Sequence, residues 1–571
     1  MEKNKKYTLL FGFLILIISL IFAINTPAES YEISIYSSTP IGYWIGIILV
    51  LIISGIIIFK DCDRIELTLS ILLASTVILS IISLPILRGY YYFGMYDSIS
   101  HLGVANNILS GNVNLAESLY PTIHIVATFL TSLTNLSIRT TMMMNIPIFA
   151  GIFIISTIIV LRNIYQKFNK NLIIIGIFSS FLFLPINNIG LHFQPHPSSQ
   201  AVLFSPILLY IFIKYNNESN YKFFLVHSLL FLGVLFTHPQ VALSFILIIT
   251  IFIIFERFYY KTKFISYRLP ILFGLLFWMW VGYKFTFQRS LIQIFNRFYM
   301  GNLNVAAGVM QQGESLMLVG SNLIEIFIKM FFVTFLFAIF SILYLAKYKS
   351  QRLDKTNIDW IKYFMISITP IFLLFLVYIV SMSRPGQDFR YLGIIFMILT
   401  ITGAYGFFNI LKKMNLKKSR IYIIAFILII LLLSMPTYFS SPWIYKANPH
   451  VTEKLYTGHE ATFDFFNNNL NVSSTRLQSE RFHSIIKNMP LTSEIKSKFT
   501  NSPDHFNNQS LSTYYNTRTY LAITESEFIL DTEVYNGFRF SKEDFNYLQE
   551  SQFINHLYNN KDFNLYLTLV N

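Results

Sequence analysis

Apolar stretches of roughly 17 to 23 residues recur along the chain as far as position 436, and short polar segments separate them. A bilayer core is crossed by about 20 helical residues, so this pattern predicts a multi-pass membrane protein. The predicted spans cover 7–24, 43–59, 67–87, 140–161, 171–187, 198–214, 222–237, 239–255, 267–284, 324–346, 361–382, 389–411 and 420–436. A further apolar helix is predicted over 121–137.

The first span follows Lys3, Lys5 and Lys6, as the apolar segment of a signal peptide would. It is long for that role, and no small-residue cleavage site follows it. We therefore expect a retained membrane anchor.

Lys and Arg in short loops indicate orientation, because they resist translocation. Every second connection, beginning with the N-terminus, is rich in them, and these seven segments together hold 24 basic residues. The alternate connections hold few, namely Arg88, Arg289, Arg297, Arg384 and Arg390. The basic loops are therefore predicted to be cytoplasmic, in a plasma-membrane protein.

One region conflicts with this rule. If 121–137 and 140–161 both crossed the bilayer, Arg162, Lys167 and Lys170 would lie outside. A half-helix or juxtamembrane helix over 121–137, begun by Pro121 and broken near Arg139, removes the conflict. The expected topology is then about 13 spans, with the N-terminus cytoplasmic and residues 437–571 extracytoplasmic.

Composition agrees with this class, since 54% of the 571 residues are hydrophobic and 13% are charged. Residues 437–571 carry 11 basic and 14 acidic side chains, so the net charge of +14 comes from the predicted cytoplasmic loops. A charge placed in this way follows from topology, and no nucleic-acid partner is expected. A single cysteine, Cys62, excludes intramolecular disulfides and cysteine-rich metal sites.

Residues 437–571 are expected to form a small α/β domain, after a membrane domain over 1–436. Apolar residues alternate over Tyr520–Thr524 and over 564–570, which predicts two strands, and turn residues 559–562 precede the last one. Helices are predicted near 459–469 and 541–550.

Candidate chemistry begins in the first large outer loop. Asp97 and His101 lie four residues apart, so on a helix they share one face, and a carboxylate beside an imidazole suits general-base or metal chemistry. Tyr120-Pro121-x2-His124 follows and is predicted to bring a second imidazole to the same level.

This pattern, Asp-x3-His, a glycine at 111 and then Tyr-Pro-x2-His, resembles the GT-C superfamily of polytopic membrane glycosyltransferases. The resemblance implies an all-α membrane bundle and an acidic residue in the first outer loop that is essential to sugar transfer from a polyprenyl-phosphate-linked donor. Asp97 takes that position here, with His101 as a second catalytic candidate. The implied acceptor is a glycan, a lipid or a protein, and transfer inverts the sugar configuration.

Further residues are assigned to substrate binding. They are His124, His238, Glu314, Arg384, Asp388 and Arg390. A polyprenyl phosphate is a good leaving group, so inverting transfer needs a base and cations that hold the phosphate, for which an arginine fork is suited. The alternative for Arg384 and Arg390 is an ordinary arginine paired with Asp388.

Metal dependence stays open at this point. Many members of the superfamily carry paired acidic residues in the first loop, whereas Ser98 follows Asp97, so a second carboxylate must come from Glu117, Glu314 or Asp388. Asp97, His192 and His196 are the candidate ligands of a divalent metal ion. Pro195 and Pro197 prevent the helical spacing that would bring both of those imidazoles to one face.

Three other functions remain open. A transporter or flippase for lipid-linked saccharides would use the same outer polar residues, but it should show related halves, and no repeat is evident. A polysaccharide polymerase or ligase would share the lipid-phosphate chemistry. A non-catalytic scaffold would bind a partner through its outer domain.

Overall fold

The computed structural model describes the N-terminal half of the chain almost continuously, and the C-terminal half in pieces. The described residues are 2–59, 62–95, 97–112, 121–165, 176–177, 180, 183–184, 193–260, 265–283, 335–346, 360, 364–369, 371, 393–412, 448–466, 471–475, 478–488, 492–503, 505–506, 514–515, 517–534 and 540–568.

Long apolar helices dominate the first 412 residues. They are α1 (Glu2–Ile24), α2 (Ile35–Ser38), α3 (Ile41–Phe59), α4 (Arg64–Ile82), α5 (Leu84–Leu87), α6 (Asp97–Leu109), α7 (Pro121–Thr134), α8 (Ile138–Tyr165), α9 (Pro197–Glu218), α10 (Tyr221–Thr237), α11 (Pro239–Phe255), α12 (Arg268–Tyr283) and α13 (Gly393–Lys412). A π-helical turn over Glu256–Tyr260 extends α11, and a further helix covers Phe335–Ala346.

Six helices within the described residues are long and apolar enough to cross a membrane. These candidate spans are Lys5–Ile24, Ile41–Ile58, Arg64–Ile82, Ile138–Asn163, Pro197–Glu218 and Pro239–Phe258. The chain is therefore a multi-pass membrane protein, as predicted. The predicted spans over 171–187, 361–382 and 420–436 fall mostly or wholly outside the described residues, so the total of about 13 stays a prediction.

The predicted span over 67–87 differs from the observed helices. Helix α4 ends at Ile82, and a separate turn, α5, begins at Leu84 with Pro85 in its first turn. Proline has no amide hydrogen and crowds the carbonyl four residues earlier, which favours a break between α4 and α5 at this position.

The helix predicted over 121–137 does begin at Pro121, and it ends before Arg139. Helix α7 ends at Thr134, Asn135 adopts a left-handed conformation with φ of 58°, and α8 begins at Ile138. The two helices pack closely, since Thr131 and Thr141 share a hydrogen bond of 2.7 Å and the Asn145 amide donates to the carbonyl of Ile123. Fourteen residues make α7 shorter than the six candidate spans.

The C-terminal region, residues 448–568, contains a five-stranded sheet and short helices. The five strands of the sheet are β3 (Val472–Ser474), β4 (Phe499–Asn501), β5 (Thr519–Thr524), β6 (Ile554–Asn559) and β7 (Phe563–Thr568). A short strand, β2 (His450–Val451), precedes them and pairs with β1 (Tyr92–Phe93). The helices are α14 (Glu453–Phe466), α15 (Gln478–Ile486), α16 (Ser493–Ser497), α17 (Glu525–Ile529) and α18 (Lys542–Glu550).

The sheet has the strand order β4-β3-β5-β7-β6. Strand β3 lies parallel to β4 and β5, whereas β7 is antiparallel to β5 and β6. Both predicted strands and the turn before β7 are thus present, and the helix predicted near 541–550 is α18. The helix predicted near 459–469 begins earlier, at Glu453, and the predicted domain boundary at 436 lies outside the described residues.

The two faces of the sheet pack against different partners. Leu521 and Ile523 of β5 belong to a separate core beside α18, whereas Ala522 between them belongs to the large core that continues into the membrane helices. This alternation is the two-residue period of a strand buried on both faces. The C-terminal region is therefore packed onto the helix bundle.

The C-terminal region contacts one end of the bundle, which we call the loop end and which comprises residues 25–40, 83–95 and 97–112. Strand β1 pairs with β2 in antiparallel register, Phe93 opposite His450. The backbone N–H of Asn448 donates to the carbonyl of Ile33, and the side-chain Oδ1 of Asn448 accepts from the backbone N–H of Ile35. The first large loop and the C-terminal region therefore lie on the same side of the bundle.

A buried arginine joins the segments of the loop end. The guanidinium of Arg88 forms a two-point ion pair with Glu32 at 2.6 and 2.8 Å, and its Nε donates to the carbonyl of Thr26 at 2.9 Å. Tyr90 donates its hydroxyl hydrogen to Glu32, and burial, followed by the nearby Glu32 carboxylate, raises the pKa of this phenol. Only 2% of the Arg88 side chain is exposed, so these partners replace the water that it lost.

We expect Glu32→Gln to destabilise the loop end. The substitution leaves a buried guanidinium without its counter-charge, and breaking a buried ion pair typically costs about 3–5 kcal/mol. The apparent Tm of the purified protein in detergent should fall clearly. Glu29→Gln, which changes an exposed carboxylate in the same segment, is the control and should leave the Tm within about 1 °C, since exposed charges contribute little.

His459 is enclosed by aromatic rings where α14 meets the sheet. Its ring stacks on Phe482 at 4.2 Å and lies 4.6 Å from Phe563, and neither ring nitrogen has a hydrogen-bond partner among the described residues. Burial lowers the pKa of His459 to about 3. The unfolded imidazole titrates near 6.5, so below that pH the unfolded chain binds a proton that the folded chain excludes.

Stability of the C-terminal region should therefore fall as the pH drops from 7 to 5, by about 2 kcal/mol from His459 alone. Hydrogen exchange of full-length protein, followed in peptides from β5 and β7 and corrected for intrinsic rates, measures this loss. His459→Phe should make the pH dependence shallower, whereas His556→Phe, at an exposed site on β6, should retain it. An unchanged slope in His459→Phe would contradict the assignment.

Candidate functional site

Asp97 is the first residue of α6, at the loop end of the bundle. Its Oδ1 lies 3.2 Å from a guanidinium nitrogen (Nη1) of Arg481, a residue of α15 in the C-terminal region. The Asp97 side chain is 57% exposed and that of Arg481 is 30% exposed. The predicted acidic residue therefore lies accessible at the surface, beside a cation from a distant part of the chain.

His101, one turn after Asp97 on α6, lies close to two imidazoles from other parts of the chain. Nδ1 of His101 lies 3.2 Å from Nε2 of His124, which belongs to the first turns of α7. The rings of His101 and His196 are 5.9 Å apart, in an edge-to-face arrangement. His124 and His196 are buried. The contact between His101 and His124 is consistent with the prediction that α7 brings an imidazole to the level of Asp97 and His101.

Proline residues place two of the histidines at helix starts. His196 caps α9, which begins at Pro197, and His238 caps α11, which begins at Pro239. Proline suits the first helical position because its missing amide hydrogen would have no partner there. Nδ1 of His196 lies 2.8 Å from the hydroxyl of Ser198, so this ring has a local partner.

Ser98 connects the start of α6 to the start of α9. Its hydroxyl lies 2.9 Å from that of Tyr92 and donates to the carbonyl of Pro195 at 3.3 Å. Tyr92 and Ser98 are both buried, and burial raises the pKa of the Tyr92 phenol, so this hydroxyl stays protonated. The contacts fix the first turn of α6 against the bundle.

Helix α15 fixes the other side of α6. A Cβ built at Gly103 would lie 3.0 Å from the Ser484 hydroxyl and 3.3 Å from Ile485. One turn later the Asn106 amide donates to the carbonyl of Ile485 at 3.1 Å and to the side chain of Asn488. The helix that carries Asp97 and His101 is thus held between the bundle and the C-terminal region.

A cation–π contact continues this interface. The guanidinium of Arg139, at the start of α8, lies 3.4 Å from the centroid of the Tyr91 ring and 5.8 Å from that of Tyr456 in α14. Such contacts contribute about 0.5–2 kcal/mol, depending on exposure. Arg139 therefore links α8, the first large loop and the C-terminal region.

The candidate metal ligands do not form a site within the part of the chain that the structure describes. No group of three His, Cys, Asp or Glu side chains there is placed to hold a metal ion. Asp97 pairs with Arg481, and His196 bonds to Ser198. His192 lies outside the described residues.

Several other predicted site residues also lie outside the described residues. They are Glu314, Arg384, Asp388 and Arg390, together with Glu117. Of the predicted residues that are described, Asp97, His101, His124 and His196 come together on α6 and its neighbours. His238 lies at a separate helix start, and its role stays a prediction.

Sequence reasoning missed Arg481. Nothing in the pattern around position 481 distinguishes it from other polar residues of the C-terminal region. Helix α15 is amphipathic, with Phe482 and Ile485 buried, but its apolar face does not reveal that it packs on α6. Only the pairing of β1 with β2 and the contact of α6 with α15 bring Arg481 to Asp97.

No family model matches the chain, and no curated protein matches it. Several solved structures resemble the chain, all at low sequence identity. An oligosaccharyltransferase from Archaeoglobus fulgidus, tethered with an acceptor peptide, is 10% identical, with 81% of this chain and 69% of that chain covered and a TM-score of 0.49.

A second likeness is to ArnT from Cupriavidus metallidurans bound to undecaprenyl phosphate. It is 9% identical, with 88% of this chain and 97% of that chain covered and a TM-score of 0.49. The A. fulgidus enzyme AglB with an inhibitory peptide and a dolichol-phosphate is 11% identical, with 80% and 69% covered and a TM-score of 0.47. These low values assign no role to any residue of this chain, and the roles below are inferred from its own residues.

We expect Gly103→Leu to separate α15 from α6, because the new side chain would overlap Ser484 and Ile485. Overpacking of this kind typically costs about 1–3 kcal/mol. Hydrogen exchange in the peptide covering 478–488 should accelerate. Gly233→Leu is the control, since a Cβ at Gly233 has nothing within 4 Å, and it should leave this exchange unchanged.

Proposed function

We propose that this protein is an integral membrane glycosyltransferase that transfers a sugar from a polyprenyl-phosphate-linked donor to a glycan, lipid or protein acceptor. Transfer is inverting and takes place on the extracytoplasmic face. Asp97 is the general base that accepts the proton of the acceptor hydroxyl. His101 is the second catalytic candidate, one helical turn away.

The position of Asp97 is the observation that carries this proposal. A general base must come within hydrogen-bond distance of the hydroxyl that it deprotonates, so it must be accessible. More than half of the Asp97 side chain is exposed, although the helix that carries it is fixed on two sides. An exposed carboxylate on a fixed helix, one turn before His101, suits proton transfer better than a purely structural role.

The leaving group needs less assistance. A polyprenyl phosphate departs as a stable anion, so the protein has to hold the phosphate and orient the acceptor. We assign the phosphate to Arg384 and Arg390, whose planar guanidinium groups bind two phosphate oxygens at once. Asp388, Glu314, His124 and His238 remain proposed contacts to the substrates, and a divalent metal ion stays open.

A non-catalytic scaffold is the second candidate, and one observation favours it. The only ion pair of Asp97 among the described residues is with Arg481, which belongs to the C-terminal region. In a scaffold this pair adds little to the attachment of that region, because water competes for the exposed carboxylate. This function predicts that a neutral, hydrogen-bonding side chain at position 97 is tolerated.

Asp97→Asn separates the two functions, because asparagine keeps the size of aspartate and one acceptor oxygen but is not a base. Lipid-linked and protein-linked glycans of cells that lack the protein would be profiled by mass spectrometry after complementation. We expect wild type to restore one missing sugar and Asp97→Asn to reduce the restored sugar by roughly 100-fold or more, the scale of general-base catalysis.

Asp464→Asn, at an exposed carboxylate of the C-terminal region, is the control for charge removal and should behave like wild type. Equal amounts of each variant in the membrane, measured by immunoblot, exclude a loss of protein. Full restoration by Asp97→Asn would remove Asp97 from the mechanism and favour the scaffold.

A further inference from the structure

We infer that Arg481 is a positioning residue for Asp97, so that the C-terminal region completes the transfer site. The inference rests on the proposed function, because it assigns Arg481 a role in the orientation of the proposed base. Arg481 lies 384 positions from Asp97 in sequence, and it reaches the first large loop only because α15 packs on α6.

The contact is an ion pair without a hydrogen bond. Nη1 of Arg481 lies 3.2 Å from Oδ1 of Asp97 but donates no hydrogen bond within the described part of the chain, whereas Arg88 donates to both carboxylate oxygens of Glu32. Oδ1 of Asp97 therefore lies beside Arg481, and more than half of the Asp97 side chain stays accessible. A pair of this kind selects a side-chain orientation and leaves an oxygen for the acceptor hydroxyl.

The pair is too weak to hold the C-terminal region in place, because the Asp97 carboxylate is more than half exposed and no hydrogen bond joins it to Arg481. An ion pair to an exposed carboxylate contributes about 0–1 kcal/mol, because water competes for that charge. Other contacts attach this region, namely the β1–β2 pairing, the fit of Gly103 against Ile485 and the hydrogen bonds of Asn448 and Asn106. Loss of Arg481 should therefore leave the region docked and disturb only the orientation of Asp97.

Three variants, compared by their glycan profiles, test whether Arg481 orients Asp97 without holding the C-terminal region in place. Arg481→Gln removes the charge but keeps a polar side chain, and we expect it to lower the restored sugar roughly tenfold or more, because misplacement of a reacting group has effects of that size. Arg481→Lys keeps a cation that can make a single-point pair, and it should recover most of the activity. Lys487→Gln removes the neighbouring ion pair with Asp464 and should behave like wild type.

Docking is measured independently of activity by a disulfide between positions 103 and 484. A Gly103 Cβ would lie 3.0 Å from Oγ of Ser484, so the Ser484 Cβ, one bond further, is about 4 Å away and within the roughly 3.5–4.5 Å between the Cβ atoms of a disulfide. Gly103→Cys and Ser484→Cys would be combined in a Cys62→Ala background, which removes the native thiol. Oxidation should give the same yield of cross-link with Arg481 and with Arg481→Gln.

The outcomes separate this inference from the proposed function. If Asp97→Asn loses the sugar while Arg481→Gln restores it fully, the positioning role is wrong and the proposed function stands. If Arg481→Gln lowers the cross-link yield together with the sugar, Arg481 acts in docking and the positioning role is again wrong. If Asp97→Asn restores the sugar, the proposed function fails and the inference fails with it.

Discussion

The buried guanidinium of Arg88 is the interaction on which the loop end depends. A buried guanidinium is tolerated only when its charge and its donors are matched, and here Glu32, Thr26 and Tyr90 surround it. These partners come from the segment after α1 and from the segment after α5, so the ion pair joins the segments that follow two helices. Strand β1 follows directly, and His450 of β2 packs against Tyr90. The attachment of the C-terminal region thus begins at this ion pair.

The apolar pattern predicted most of the described helices, and Pro121 predicted where one of them begins. Helices α7, α9 and α11 start at Pro121, Pro197 and Pro239, because the missing amide hydrogen of proline would have no partner in a first helical turn. The alternation over 520–524 predicted β5 for a comparable reason, since each face of the strand meets its own core. Hydrophobic periodicity and proline affect the structure of their own segment, so both can be recognised directly in the sequence.

Contacts between distant segments were not predictable in the same way. Arg88 was counted only as an outer basic residue, and its burial depends on Glu32, 56 positions away. Arg481 was not considered, because no local pattern links α15 to α6. Asp97, His101 and His124 were recognised from their spacing, and the structure brings the two imidazoles to 3.2 Å. The residues of the first large loop could thus be predicted from the sequence, but Arg481 of the C-terminal region could not.

The two arginine–carboxylate pairs differ in a way that matches different roles. Arg88 and Glu32 are buried and joined at two points, an arrangement that is costly to break and suits a permanent structural link. Asp97 is exposed and shares no hydrogen bond with the partly buried Arg481, so the carboxylate can exchange its partner at little cost. A general base must make such an exchange, because it accepts a proton from a substrate that arrives and leaves. The proposed chemistry therefore requires a helix that is held firmly and a carboxylate that is held weakly.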